Sequence, residues 1–194
     1  MRQSNPFVIA LAVAILVGCA TKKSDFYTLS PQTPREGVRS AAMMTVAVGA
    51  VTVPELVDRP QIVVRAGANQ VNINEFARWA EPLKSQIPRV VAADLAQALN
   101  STRVSAYPVT GDPAAAYRVR IDVQRFDATL GDAVTVDALW SVSPPGKSAP
   151  LTGRATVREP CSGGDYDALV AAYSRALAAL SRDIAVAISS APAH

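Results

Sequence analysis

Two thiols, one imidazole and a few strand-borne carboxylates are the side chains of this 194-residue chain that could do chemistry. The imidazole is His194, the last residue. A Ser-His-Asp or Cys-His pair would have to be built on a chain terminus, and a Cys/His metal site lacks ligands. Cys161 follows Glu159-Pro160. An acidic neighbour disfavours a thiolate, so Cys161 reads as an inert thiol ahead of a helix. Asp122, Asp127, Asp132 and Asp137 invite an acid–base reading. Asp122 and Asp137, however, fall on polar strand faces beside Arg118 and Arg120, where cross-strand charge pairing is the ordinary use. Gly146-Lys147-Ser148 ends like a phosphate-binding loop, but the glycine required five positions earlier is Ser141. No G-x-S-x-G elbow and no H-E-x-x-H occurs. These patterns predict a non-enzyme without metal or dissociable cofactor.

Cys19 is different. It closes Leu16-Val17-Gly18-Cys19, directly after the apolar run Pro6 to Val17, and Arg2 puts a positive charge ahead of that run. Such a pattern describes an export signal. About a dozen apolar residues fall short of the ~20 that a membrane-spanning helix needs. The tetrapeptide resembles the lipobox of bacterial lipoproteins, in which the thiol of the new N-terminal cysteine carries diacylglycerol and its amine is acylated. Residues 1–18 are then a signal peptide, and covalent lipid at Cys19 is the one added group expected. An Asp after the lipidated cysteine tends to hold lipoproteins in the inner membrane. Ala20 stands there instead, which favours the periplasmic side of the outer membrane.

The elements that must hold any functional surface follow from patterning. Removing residues 1–18 from the 194 leaves 176, enough for one domain with a sizeable core. Loss of Arg2 takes the 19 Lys and Arg to 18, against 16 Asp and Glu. The charges are interspersed, with no basic stripe for nucleic acid. Residues 19–43 read as a lipidated N-terminus and tether, interrupted by a short strand at Phe26-Tyr27-Thr28-Leu29. Residues 44–190 read as one α+β domain, and 191–194 as a tail. Met44 to Val53 is a nearly continuous apolar run, a strand buried on both faces. Ile62–Arg65 and Val71–Asn74 flank Gly67-Ala68-Asn69-Gln70 as a hairpin. Pro88 argues for a turn at 82–86 and a helix from Ile87 to Leu99, stopped by Asn100. That helix connects the Met44–Val53 strand to a parallel one near Arg103–Tyr107. Tyr117–Phe126, Val134–Val142 and Leu151–Val157 alternate with period two and predict an antiparallel meander with one packed face. Asp165 caps a long helix whose stripe runs Tyr166, Val170, Tyr173, Leu177, Leu180, Ile184 and Ala187. The expected fold is α+β, a mixed and mostly antiparallel sheet with two helices packed against it.

Two clusters fall in segments expected to be loops. Asp58-Arg59-Pro60-Gln61 ends near Arg65, and Arg78-Trp79-Ala80-Glu81-Pro82-Leu83 precedes the first helix. Trp, Arg and fixed-φ prolines in loops suit a recognition surface. Asp58, Arg59, Pro60, Gln61, Arg65, Arg78, Trp79 and Glu81 are the candidate partner-binding residues. A pinned turn over a core tryptophan is the structural alternative.

The lipobox, Phe26-Tyr27-Thr28-Leu29, the segment Val53 to Arg65, Arg78 to Leu83 and the Ala-rich last helix together resemble the PqiC (YmbA-type) family of ABC-transport auxiliary lipoproteins. Cys161 has no counterpart in that pattern. The resemblance implies a non-enzymatic outer-membrane lipoprotein that docks an MCE-type periplasmic protein and, through it, an inner-membrane complex. Such a system moves lipids between membranes and supports envelope integrity. Ring-like self-assembly is also implied. A different class, a carrier with its own acyl-chain cavity, would need a large apolar pocket. The Met44–Val53 run points instead to a filled core.

Overall fold

The computed structural model describes residues 23–32, 44–106, 116–146 and 148–190. Cys19, most of the expected tether and the tail lie outside these residues. The described residues form eight strands and two helices, in the order β1 (Asp25–Tyr27), β2 (Val46–Thr52), β3 (Gln61–Arg65), β4 (Val71–Trp79), α1 (Leu83–Ala98), β5 (Val104–Ala106), β6 (Tyr117–Thr129), β7 (Ala133–Ser143), β8 (Leu151–Pro160) and α2 (Tyr166–Ser189). The fold is α+β, as the patterning predicts. The strands divide into two sheets, of order β5-β2-β6-β7-β8 and β1-β4-β3.

The large sheet follows the alternation closely. Val119, Ile121 and Val123 of β6 face Val142, Trp140 and Ala138 of β7. A bulge between Val123 and Arg125 then shifts the phase, so that Phe126 and Ala128 continue inward and are buried. β5 joins β2 in parallel, as a crossover through a helix requires. Trp140 lies over Gly153 of the edge strand β8, and a methyl group on Gly153 would overlap the indole ring. Gly153→Ala should therefore cost about 1–2 kcal/mol by displacing the ring. Urea unfolding checks this, and an unchanged midpoint would mean the ring moves freely.

α1 starts at Leu83, four residues before the expected start, and contains Pro88. Proline in the second turn deprives only one carbonyl of its donor, while the ring itself is buried. The helix ends where expected. Asn100 takes φ 47°, its N–H meets the Gln97 carbonyl, and the Ser101 N–H reaches Ala96 at 2.9 Å. This is a left-handed Schellman stop. α2 begins at the Asp165 cap, whose Oδ1 accepts the Ala168 N–H at 2.8 Å.

The two sheets and α2 meet at an aromatic cluster. Phe126 stacks on Tyr173 with centroids 3.9 Å apart, and Trp79 stands edge-on to Phe126 at 6.3 Å and tilted against Tyr173 at 6.2 Å. The Tyr173 hydroxyl donates to the Phe126 carbonyl at 3.0 Å, and its burial raises the phenol pKa.

The segment after β1 is held without a ladder. The N–H groups of Leu29, Ser30 and Gln32 donate to Gln86 Oε1 (2.8 Å), Ser174 Oγ (3.1 Å) and Asp94 Oδ1 (2.8 Å). Side chains from both helices thus strap the N-terminal segment onto the domain, and Leu29 is buried beneath it.

Candidate functional site

The turn after β2 is built from local hydrogen bonds. Val57 N–H donates to the Pro54 carbonyl at 3.0 Å, and Asp58 N–H reaches both Pro54 and Glu55 carbonyls at 3.2 Å. Pro54 and Pro60 fix φ at its two ends. The turn presents Leu56, 38% exposed, and an exposed Arg59. It is tied down at its far end, where the Trp79 N–H donates to the Pro60 carbonyl at 2.7 Å. Gln61 lies beside Arg78 in the ladder, and its amide donates to Glu75 at 2.9 Å.

Seven of the eight candidate residues are thereby brought to one end of the small sheet: Asp58, Arg59, Pro60, Gln61, Arg78, Trp79 and Glu81. Lys84 Nζ donates to Asp58 at 2.6 Å, and Arg89 pairs with Glu81. Both partners come from the exposed face of α1. They escaped the sequence reading because a lone lysine or arginine on a helix gives no local signal. These pairs are solvent-exposed and add little stability. Their effect is to neutralise Asp58 and Glu81 locally.

Two expectations need correction. Trp79 is not in a loop. It ends β4, is 5% exposed and belongs to the aromatic cluster. Burying an indole outweighs the turn propensity of the following Ala80-Glu81-Pro82. Arg65 is also apart from the other seven, at the opposite end of β3. It pairs with Asp127 at 3.2 Å and borders a recess of about 610 Å³ that Arg125, Asp132 and Arg158 also line.

That recess lies on the outer face of the large sheet, where acidic and basic groups neutralise one another. Asp132 pairs with Arg158 at 2.7 Å, and Asp127 with Arg125 at 3.1 Å. Asp137 takes Arg154 and Thr156, not Arg118 or Arg120, and the Arg154 hydrogen bonds hold its carboxyl below the usual range. Asp122 bonds Thr52 and Gln124. Cross-strand pairing is thus the use of these carboxylates, with partners set by register. Cys161 is half-buried, and burial pushes its thiol pKa up, which disfavours the thiolate.

Residues 27–185 match the family of ABC-type transport auxiliary lipoprotein components. The chain belongs to that family. The match covers the strap, the turn after β2, both sheets except the first two residues of β1, and nearly all of α2. The auxiliary lipoprotein also shares its fold with two crystal structures. One is an uncharacterized protein, 19% identical, with TM-score 0.69, covering 86% of this chain and 99% of its own. The other is protein XCC0632 from Xanthomonas campestris, of the DUF330 family, 20% identical, with TM-score 0.66, covering 84% and 93%. Comparison with curated proteins gave no match. Among the described residues no helix is long and apolar enough to cross a membrane.

Proposed function

We propose that this auxiliary lipoprotein is a docking subunit, anchored by acylated Cys19 in the periplasmic leaflet of the outer membrane. Its partner is the end of a conduit formed by an MCE-type periplasmic protein, which leads to an inner-membrane ABC complex and carries lipid between the membranes. Family membership supports the transport role and favours a non-catalytic one. The observation that carries docking over carriage is the filled centre of the domain. Trp79, Phe126 and Tyr173 occupy the junction of the two sheets and α2, where an acyl chain would have to lie. The turn at 54–60 is meanwhile pinned at both ends, and a pre-ordered surface loses less entropy on binding. Ring-like self-assembly would multiply such contacts, and tethering raises their effective concentration.

Arg59→Ala tests this reading. An interfacial arginine commonly contributes 2 kcal/mol or more, so capture of the MCE-type partner should weaken about thirtyfold. The side chain is exposed, so thermal stability should hardly change. The measurement is pull-down of the partner beside lipid extraction of the purified protein. Undiminished capture together with co-purified phospholipid would favour the carrier.

A further inference from the structure

The geometry points to the outer face of β1, centred on Phe26, as a membrane-contact site that rests on the lipid surface holding the anchor. This inference rests on acylation of Cys19, as proposed above. Asp25, where β1 begins, is six residue steps along the chain from Cys19. Fully extended, they span roughly 20 Å, so β1 stays close to the membrane however the linker runs.

What the strand presents there is apolar. Phe26 is 66% exposed, more than Leu56, Leu139 or Val186. It sits on an edge strand of the small sheet. Tyr27 faces the other way, its ring 5.9 Å from that of Tyr166 at the start of α2. Phe26 therefore projects to the opposite face, since successive strand residues alternate. Arg78, its ladder neighbour, shares that face.

The charge pattern fits phosphate-bearing headgroups. Lys22 and Lys23 lie between the anchor and the strand, Lys23 is exposed, and Arg78 stands beside Phe26. Basic residues next to an anchor are drawn to anionic lipid, and an aromatic ring suits the interface. A partner protein could also cover Phe26, but the short linker and the flanking cations favour lipid. The orientation also serves the docking role. β1, β4 and β3 are adjacent, so Gln61 lies two strand spacings, about 10 Å, from β1. A conduit held by the neighbouring turn would end close to the membrane.

The test uses the acylated full chain in vesicles of phosphatidylethanolamine and phosphatidylglycerol, with or without bromine on the acyl chains. Phe26→Trp should lose emission to the brominated lipid once the wild-type signal of Trp79 and Trp140 is subtracted. Val186→Trp is the control, because Val186 is about 30 Å along α2 from Tyr166. It should show no loss. Equal loss at both sites, or a Phe26→Trp signal that is shielded from water yet insensitive to bromine, would overturn the proposal, the second by showing cover by protein. A solvent-like, unquenched Phe26→Trp signal would overturn it while leaving the anchor intact. Mass analysis of the N-terminal peptide separates the two readings, since a chain without lipid on Cys19 removes the anchor and this orientation with it.

Discussion

Trp79→Ala is expected to destabilise the domain by about 3–5 kcal/mol, the range for truncating a buried aromatic residue. Trp79 is the last residue of β4, 5% exposed, and holds its ring edge-on to Phe126 and tilted against Tyr173. Those two rings come from the large sheet and from α2, so Trp79 is where the small sheet joins the rest of the core. Removing the indole opens a void among three elements and also loses aromatic contacts of about 0.5–1.5 kcal/mol per pair. The neighbours cannot readily close it. Phe126 and Tyr173 are stacked nearly parallel, at 3°, and the Tyr173 hydroxyl is committed to the Phe126 carbonyl. Equilibrium unfolding in urea checks the expectation, and a midpoint close to wild type would show that the cluster does not join the sheets. Trp79→Phe keeps most of the apolar volume and should remain folded. Because the ring is buried, this variant should capture the partner normally, in contrast to Arg59→Ala. Loss of capture in folded Trp79→Phe would put the indole itself in the interface.

The same tryptophan shows where sequence reasoning reaches its limit. The β6–β7–β8 meander was legible because each strand alternates over many residues with one face buried. The β3–β4 hairpin was legible from two β-branched runs around Gly67 to Gln70. The continuation of β4 to Trp79 was not. Glu75 breaks its apolar phase, and Arg78-Trp79-Ala80-Glu81-Pro82 has the composition of a turn. The pairing that makes it a strand comes from afar: Pro60 accepts the Trp79 N–H, and β1 runs alongside in parallel. A three-residue strand such as β1 has too little pattern of its own to announce a second sheet. Pro88 misled for a related reason, since propensity counts the lost hydrogen bond and not the core position that the ring fills. The candidate surface was legible as two charged clusters. Their convergence was not, because it depends on long-range backbone pairing, of Pro60 with Trp79 and of Gln61 with Arg78. The strap was invisible, since Gln86, Asp94 and Ser174 are ordinary polar helix residues until an N-terminal backbone is laid across them.

That strap carries the second large effect, which depends on pH. Asp94 of α1 is 5% exposed. One oxygen accepts the Gln32 N–H, and the other is buried with no hydrogen-bond partner among the described residues. Burial raises its carboxyl from 3.8 to about 6, against the Gln32 N–H and the Arg182 charge, both of which favour the anion. The folded protein therefore holds this proton more tightly than the unfolded chain. The contribution to stability is full below about pH 4, falls as pH rises to about 6, and is flat beyond. A displacement of about two pKa units corresponds to roughly 3 kcal/mol lost across that window. Asp94→Asn keeps an oxygen for Gln32 and cannot ionise. It should stabilise the protein at pH 7 by about 2 kcal/mol, somewhat less than the full linkage because the new amide donors also need partners. Near pH 4 the gain should vanish. Urea midpoints of both proteins from pH 4 to 8 provide the check. A gain that stays constant across this range would mean that Asp94 is not the titrating group. Asp94→Ala should move the opposite way near pH 4, because it deletes the acceptor for Gln32. Faster proteolysis between Leu29 and Gln32 would follow there, since a weakened strap exposes the segment it holds.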